Sequence, residues 1–535
     1  MASTTNASTP TPGSTSGSTP GSTPGAGTPP ANGTAYQQLI KRHRDAELLA
    51  SSGSILGWDQ ETMMPAGGLE HRSRQLEQIA RLVHGMMVDP RVGDLLAECE
   101  ADGELNADPI SVEAVNIREI RRGYDRATRL PESLVGEIAK TSSLAQHEWA
   151  EARAASDFAR FRPVLSSMLA LLRRKAECLG FPEGGEAWDA LADEYEPGST
   201  AKEVEAVFAP LKPRLQTLVS DLMGAAKKPS NRFNEIALPV DDQEKFVRFV
   251  AESIGFDFRR GRLDRSVHPF CSGSCCQDVR LTTRFHDTFV NDALGSTIHE
   301  AGHGMYEQGL LAEHIGTPMG HAASLGIHES QSRMWENQVG RSLSFWKWCH
   351  AKLPRYFGDA VADLSLEETY EGANIVAPGL IRVEADEATY NLHVMIRFEL
   401  ELALMRDELR VDDLPGEWNK RYRDLLGVTV PDDRRGCLQD VHWSMGAIGY
   451  FPTYTLGNLY SAQLFEAACA ELPGLVDGFA EGDFAPLKHW LNRNVHAHGA
   501  RYRAGKLCEV VTGEPLGPEP LMRHLDGKLR SLYGI

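Results

Sequence analysis

Ser296 to Gly309 reads STIHEAGHGMYEQG, two histidines four positions apart with a glutamate directly after the first. Whether this stretch is helical decides what kind of protein surrounds it. On a helix, His299 and His303 stand one turn apart on one face, so both imidazoles can reach a single ion. Glu300 then projects about 100° round, beside the ion rather than on it. Two neutral imidazoles, a third ligand and an open position for water make a zinc site suited to peptide hydrolysis. The glutamate takes the proton of that water and hands it to the leaving amine.

The third ligand is not in this stretch. The extension that adds a glycine and a third histidine at three-residue steps is excluded, because Tyr306 and Gly309 hold those places. A carboxylate from a second helix is the usual alternative. IHESQSRMWENQVGRSL, from Ile327, has helical character and offers His328, Glu329 and Glu336, with His321 shortly before it. Glu329 and Glu336 are seven positions apart and share a helix face, so spacing leaves the choice open.

Most of the remaining chain also reads as helix. Thr200 and Glu203 form a T-x-x-E capping box, followed by Val204, Val207, Phe208, Leu211, Leu215, Leu218 and Leu222 at helical spacing. Pro210 and Pro213 are expected to kink or split that helix. Strand signals are few: EIALPV from Glu235 and VRLTTRF from Val279, the latter just upstream of the opening stretch. The expectation is a mainly α protein with a small sheet beside the histidines.

Residues 1–34 contain no charged or aromatic side chain and repeat Ser, Thr, Pro and Gly, a composition expected to stay disordered. Residues 35–535 are read as one helical domain. The net charge of −19 argues against a nucleic-acid or anionic-membrane partner, since either needs a basic patch. No apolar run is long enough to span a bilayer, and no secretory signal opens the chain, so a cytoplasmic protein is expected. Nine cysteines, an odd number, suit reduced thiols. Cys271, Cys275 and Cys276 lack the second Cys/His pair that a structural zinc site needs.

HESQSRMWEN paired with STIHEAGHGMYEQG resembles the carboxypeptidase Taq family of metal-dependent carboxypeptidases. Further stretches match in the family's order: WDQETMMP from Trp58, HPF from His268, DVRLT from Asp278, IRVEADE from Ile381, GCLQDVHW from Gly436, GYFPTYTLGN from Gly449 and VTGEPL from Val511. The resemblance runs from about Tyr36 to the C-terminus. It implies His299, His303 and Glu329 as ligands of one Zn²⁺ or Co²⁺ per subunit, with Glu300 as general base and later acid. It also implies a helical fold similar to angiotensin-converting enzyme and neurolysin, a deep groove with the metal at its floor, and a homodimer. The implied activity is release of single residues from free peptide C-termini with broad tolerance.

An exopeptidase must also recognise the α-carboxylate, which an arginine does best through paired charge-assisted bonds. Arg382, in the I-R-x-x-A-D element, is the first candidate, and Arg280 in DVRLT the second; the competing reading of Arg382 is a salt bridge to Glu384, Asp386 or Glu387. Donors to a tetrahedral oxyanion are expected from His442, with Asp440 setting its tautomer, and from Tyr450 or Tyr454. VRLTTRF is expected to offer an edge to an extended peptide. Asp278, Arg280, Thr282 and His268 are then substrate-binding candidates, or else parts of a hairpin fixed by local polar contacts. WDQETMMP and VTGEPL are read as structural. The rival functions are a dipeptidyl carboxypeptidase or short-peptide endopeptidase on the same groove, and a non-catalytic metal-binding protein.

Overall fold

The computed structural model describes residues 33–535. The tail expected over 1–34 lies outside the described residues apart from its last two positions, and there Thr34 already caps a helix. Its Oγ1 accepts from Gln37 N at 3.2 Å while Gln37 Oε1 accepts from Thr34 N at 3.0 Å, a reciprocal cap on the 28-residue helix Ala35–Thr62.

The capping box at Thr200 and Glu203 forms as expected and starts the helix Ala201–Gly224. The prolines do not split it. Pro210 and Pro213 both lie on the exposed side, while Val204, Phe208, Leu211, Leu215, Leu218 and Leu222 are buried on the other. An interior proline costs about 3 kcal/mol, whereas each such buried side chain contributes about 1.5–3 kcal/mol, so the apolar stripe outweighs the lost backbone bonds.

Strand placement departs from the sequence reading. EIALPV is not a strand: Glu235 ends the short helix Arg232–Glu235, and Pro239 sits at the N-cap of the helix Val240–Ile254. The sheet has three strands, β1 (Gly261–Arg265), β2 (Cys271–Cys275) and β3 (Asp278–Thr283), in the order β1-β3-β2. β3 is therefore the central strand, parallel to β1 and antiparallel to β2. This corrects the expectation that VRLTTRF presents an edge to a peptide, since its main-chain groups are taken on both sides. Val279 and Leu281 point into the main core.

The N-terminal helices have a core of their own, built from Leu39, Ile40, Val92, Leu95, Leu96, Cys99, Ile117 and Ile120. Trp58 of WDQETMMP ties the first helix to the sheet. The guanidinium carbons of Arg262 and Arg280 lie 4.6 and 4.4 Å from its ring centroid, and these two arginines are register partners on β1 and β3. The structural reading of that motif fits a cation–π clasp of this kind. Among the described residues, no helix is long and apolar enough to cross a membrane.

Two helices meet at the candidate site, the HEAGH helix Val290–Gly309 and a companion helix Leu325–Arg333. Their approach is set by glycine. A Cβ on Gly302 would stand 2.6 Å from Ser332 Cα, and one on Gly457, from the helix Pro452–Glu471, would stand 2.5 Å from Glu329 Cγ. A glycine inside a helix costs about 1 kcal/mol relative to alanine, and here it allows backbones to close on the companion helix from both sides.

The start of the companion helix is held by Ser324, whose Oγ accepts from Ile327 N at 3.0 Å, and by Glu196, whose Oε2 accepts from Gly326 N at 2.8 Å. Glu196 Oε1 is buried without a partner among the described residues, and burial pushes this carboxyl up to about 7. Because the folded value lies above the unfolded one, near 4.5, the folded protein binds the proton more tightly. The associated stability is fully present below that lower value and is lost as pH rises through about 7. The size is about 3 kcal/mol. Glu196→Gln, which keeps the acceptor for Gly326 without a charge, is expected to flatten the fall in stability between about pH 5 and pH 8. Urea unfolding across that range checks it, and an unchanged slope in the variant would rule out Glu196 as the source.

Candidate metal centre

His299 and His303 project from one face of the HEAGH helix as its periodicity requires, and Glu329 comes from the companion helix. Each offers one atom to a group whose members lie within 4.8 Å of one another. Glu329 Oε2 is 3.7 Å from His299 Nε2 and 3.5 Å from His303 Nε2. An ion with bonds of about 2.1 Å in tetrahedral geometry needs ligand atoms about 3.4 Å apart, so this set fits a zinc-like ion.

The far side of each imidazole is also satisfied. His299 Nδ1 is 2.8 Å from Glu336 Oε2, and His303 Nδ1 is 3.0 Å from the carbonyl of His328. With Nδ1–H donating outward in both rings, both Nε2 lone pairs are left facing Glu329. Glu336 therefore serves the other nitrogen of His299 and does not join the group. His328 Nδ1 lies 2.6 Å from His303 Nδ1, and its Nε2 is 2.8 Å from Glu307 Oε1. His321 lies 3.5 Å from Glu47 on the first helix. Of the four alternatives that the sequence offered beside the histidine pair, Glu329 alone turns inward.

Glu300 is 6% exposed and makes no hydrogen bond or ion pair with any described residue. Burial pushes its carboxyl up to about 7, with His299 opposing and Glu329 adding to the rise. Burial likewise lowers His303 to about 3, the neutral state in which an imidazole can bind an ion.

Arg382 is buried and does form a salt bridge, though not with the three carboxylates proposed from the sequence. Its Nε and Nη2 donate to Asp440 Oδ1 at 3.0 and 2.9 Å, and Nη1 donates to Tyr390 Oη at 3.1 Å. Of the guanidinium's N–H donors, one on each terminal nitrogen remains for a carboxylate. Asp440 was expected to set the tautomer of His442, but its other oxygen accepts from Arg397 Nε at 2.7 Å. Both oxygens are thus bound by arginines. His442 Nδ1 is buried with no partner among the described residues, and its Nε2 is 3.5 Å from Tyr454 Oη. Burial holds this imidazole neutral, down to about 4. Tyr450 and Tyr454 close the cluster, with ring centroids 5.4 Å apart and Tyr450 5.2 Å from His442.

The remaining candidates lie on β3 and on the loop between β1 and β2. Asp278 and Arg280 bind each other through two bonds of 2.9 and 3.0 Å. Thr282 is fully buried and its Oγ1 accepts from Phe270 N at 2.9 Å. His268 is exposed on the loop between β1 and β2, where only its carbonyl is engaged. Asp278, Arg280 and Thr282 make the local polar contacts of the hairpin reading. Cys271 and Cys275 are half-buried free thiols at the ends of β2, and Cys276 is buried in the following turn.

Residues that the sequence reading missed are Arg333, Tyr390, Arg397 and Glu401. Arg333 had a signal, since it lies four positions after Glu329 and three before Glu336 on one helix. Glu401 had none: it accepts from the indole nitrogens of Trp188 and Trp443 and from Gly449 N, so it ties together the residue after His442 and the residue before Tyr450.

The profile of the carboxypeptidase Taq (M32) metallopeptidase family matches residues 38–529. Thermostable carboxypeptidase 1 of Thermus thermophilus is 47% identical over 507 residues, covering 94% of this chain and 99% of that protein. Carboxypeptidase 1 of Bacillus subtilis is 36% identical over 481 residues, covering 90% of this chain and 95% of that protein. The crystal structure of the M32 carboxypeptidase from Deinococcus radiodurans R1 superposes with a TM-score of 0.90 at 40% identity, covering 94% of this chain and 100% of that one. The histidine pair, the inward carboxylate and these matches over nearly the whole chain agree: this protein belongs to the carboxypeptidase Taq (M32) metallopeptidase family and is a metallocarboxypeptidase.

Proposed function

We propose that this carboxypeptidase releases amino acids one at a time from free peptide C-termini, with little demand on the side chain removed. The observation that carries the reading is a two-histidine, one-carboxylate group beside a buried Glu300 that has no polar partner among the described residues. His299 Nε2, His303 Nε2 and Glu329 Oε2 would hold one ion, zinc or cobalt. When bound, such an ion supplies Lewis acidity that acidifies a water and polarises the scissile carbonyl.

Glu300 takes the water's proton on its carboxylate and later delivers it to the departing amide nitrogen. Arg382 binds the α-carboxylate through its two remaining terminal N–H groups. His442, neutral, donates to the developing oxyanion, with Tyr450 or Tyr454 beside it. Side-chain tolerance follows because anchor and ion both address atoms that every peptide has.

A peptide presented as free acid and as C-terminal amide tests this reading. Early products resolved by mass are expected to form a ladder one residue apart from the acid and almost nothing from the amide. Dipeptides as first products, or comparable turnover of the amide, would sink it in favour of a dipeptidyl carboxypeptidase or an endopeptidase.

A further inference from the structure

We propose that Arg333 and Tyr390 are positioning residues that together form a rigid spacer between Glu329 and Arg382, setting where the chain is cut. The inference rests on the reading of Arg382 as the carboxylate anchor.

Arg333 joins Glu329 to Glu336, the carboxylate behind His299. Its Nε donates to Glu329 Oε1 at 2.6 Å and its Nη1 to Glu336 Oε2 at 3.2 Å. Two carboxylates that close would repel each other and swing apart; a planar fork holds both and fixes their angle. Because Arg333 occupies Oε1 of Glu329, only Oε2 is turned to the two Nε2 atoms. Glu336 is held from its other oxygen by Arg341 at 3.0 Å, so His299 is backed by an anchored group.

The same guanidinium lies on Tyr390, with its central carbon 4.2 Å from the ring centroid. Tyr390 is 5% exposed and stands at the first position of the helix Tyr390–Met405. Its hydroxyl accepts from Arg382 Nη1 at 3.1 Å. One flat ring therefore has the metal-side clamp on its face and the anchor at its tip. A phenol has only two side-chain torsions and no internal slack, so its length sets the separation of Arg333 from Arg382. That separation sets how many peptide units fit between ion and anchor.

The test separates the two contacts. Zinc dissociation constants, measured by competition with a chelating dye, are expected to rise about 10- to 100-fold in Arg333→Gln. The visible absorption of the cobalt-loaded variant is expected to weaken, as Glu329 becomes free to bind through both oxygens. Arg333→Lys keeps the charge without the fork and is expected to follow Arg333→Gln; wild-type zinc affinity and cobalt spectrum in Arg333→Lys would overturn the clamp, even if Arg333→Gln fails to fold.

Tyr390→Phe keeps the ring face and removes the hydroxyl. Its zinc constant is expected to stay within about twofold of wild type, while KM for free-acid peptides rises about tenfold, the size of one lost hydrogen bond to a charged group. Tyr390→Leu removes the ring and is expected to raise both constants and to release some dipeptide. Unchanged KM in Tyr390→Phe, with Arg382→Ala still discriminating acid from amide, would overturn the Tyr390 half of the spacer. If Arg382→Ala loses acid and amide turnover equally, the anchor reading fails and takes Tyr390's part with it, and the zinc constants decide Arg333 independently.

Discussion

Replacing Glu300 by glutamine is expected to leave the metal bound and remove nearly all activity. Glutamine has the same shape but cannot hold the transferred proton, and the three candidate ligand atoms on His299, His303 and Glu329 are untouched. General acid–base catalysis contributes about 10²- to 10⁴-fold per step, and one group acting in both directions belongs at the upper end. A loss of about three to five orders of magnitude in kcat corresponds to about 4–7 kcal/mol of activation free energy. Stability should not fall, because Glu300 is 6% exposed and holds no partner among the described residues to be orphaned. Metal content per chain, thermal unfolding and kcat measured on one preparation decide the matter. Near-normal turnover with full metal would overturn the mechanism, and lost metal would move Glu300 into the ligand set.

Arg382→Ala is expected to act on the substrate's end rather than on the chemistry. Truncating one member of a buried charge-assisted pair costs about 2–4 kcal/mol, or roughly 30- to 1,000-fold in kcat/KM for free-acid peptides. The amide, which offers no carboxylate, should lose little, so the acid-to-amide ratio should collapse. The variant should still fold, because Asp440 keeps Arg397, whose Nε lies 2.7 Å from Oδ2. Equal losses on both substrates would return Arg382 to a purely structural salt bridge.

Much of the site was legible because helices are local. His299, Glu300 and His303 are placed by a four-residue period, and the Thr200–Glu203 cap forms from neighbours in the chain. The strand reading was weaker because a short apolar run does not report its partners: EIALPV became a helix end and a cap, and VRLTTRF became the middle of its sheet. Asp440 misled for the same reason, since proximity to His442 in sequence says nothing of two arginines 58 and 43 positions away.

By itself, then, the sequence determined which face of one helix carries the histidines, where the glutamate stands beside them, that most of the chain is helical, and, through ordered motif matches, the family. Its spacing did not separate Glu329 from Glu336, because both share a helix face and both end within reach of His299; the resemblance to the family implied Glu329. Only the tertiary structure decided that one approaches Nε2 and the other Nδ1. The physical reason is close packing: with no Cβ at Gly302 and Gly457, the companion helix seats deeply enough to turn Glu329 inward, and contacts between segments far apart in the chain leave no trace in local periodicity.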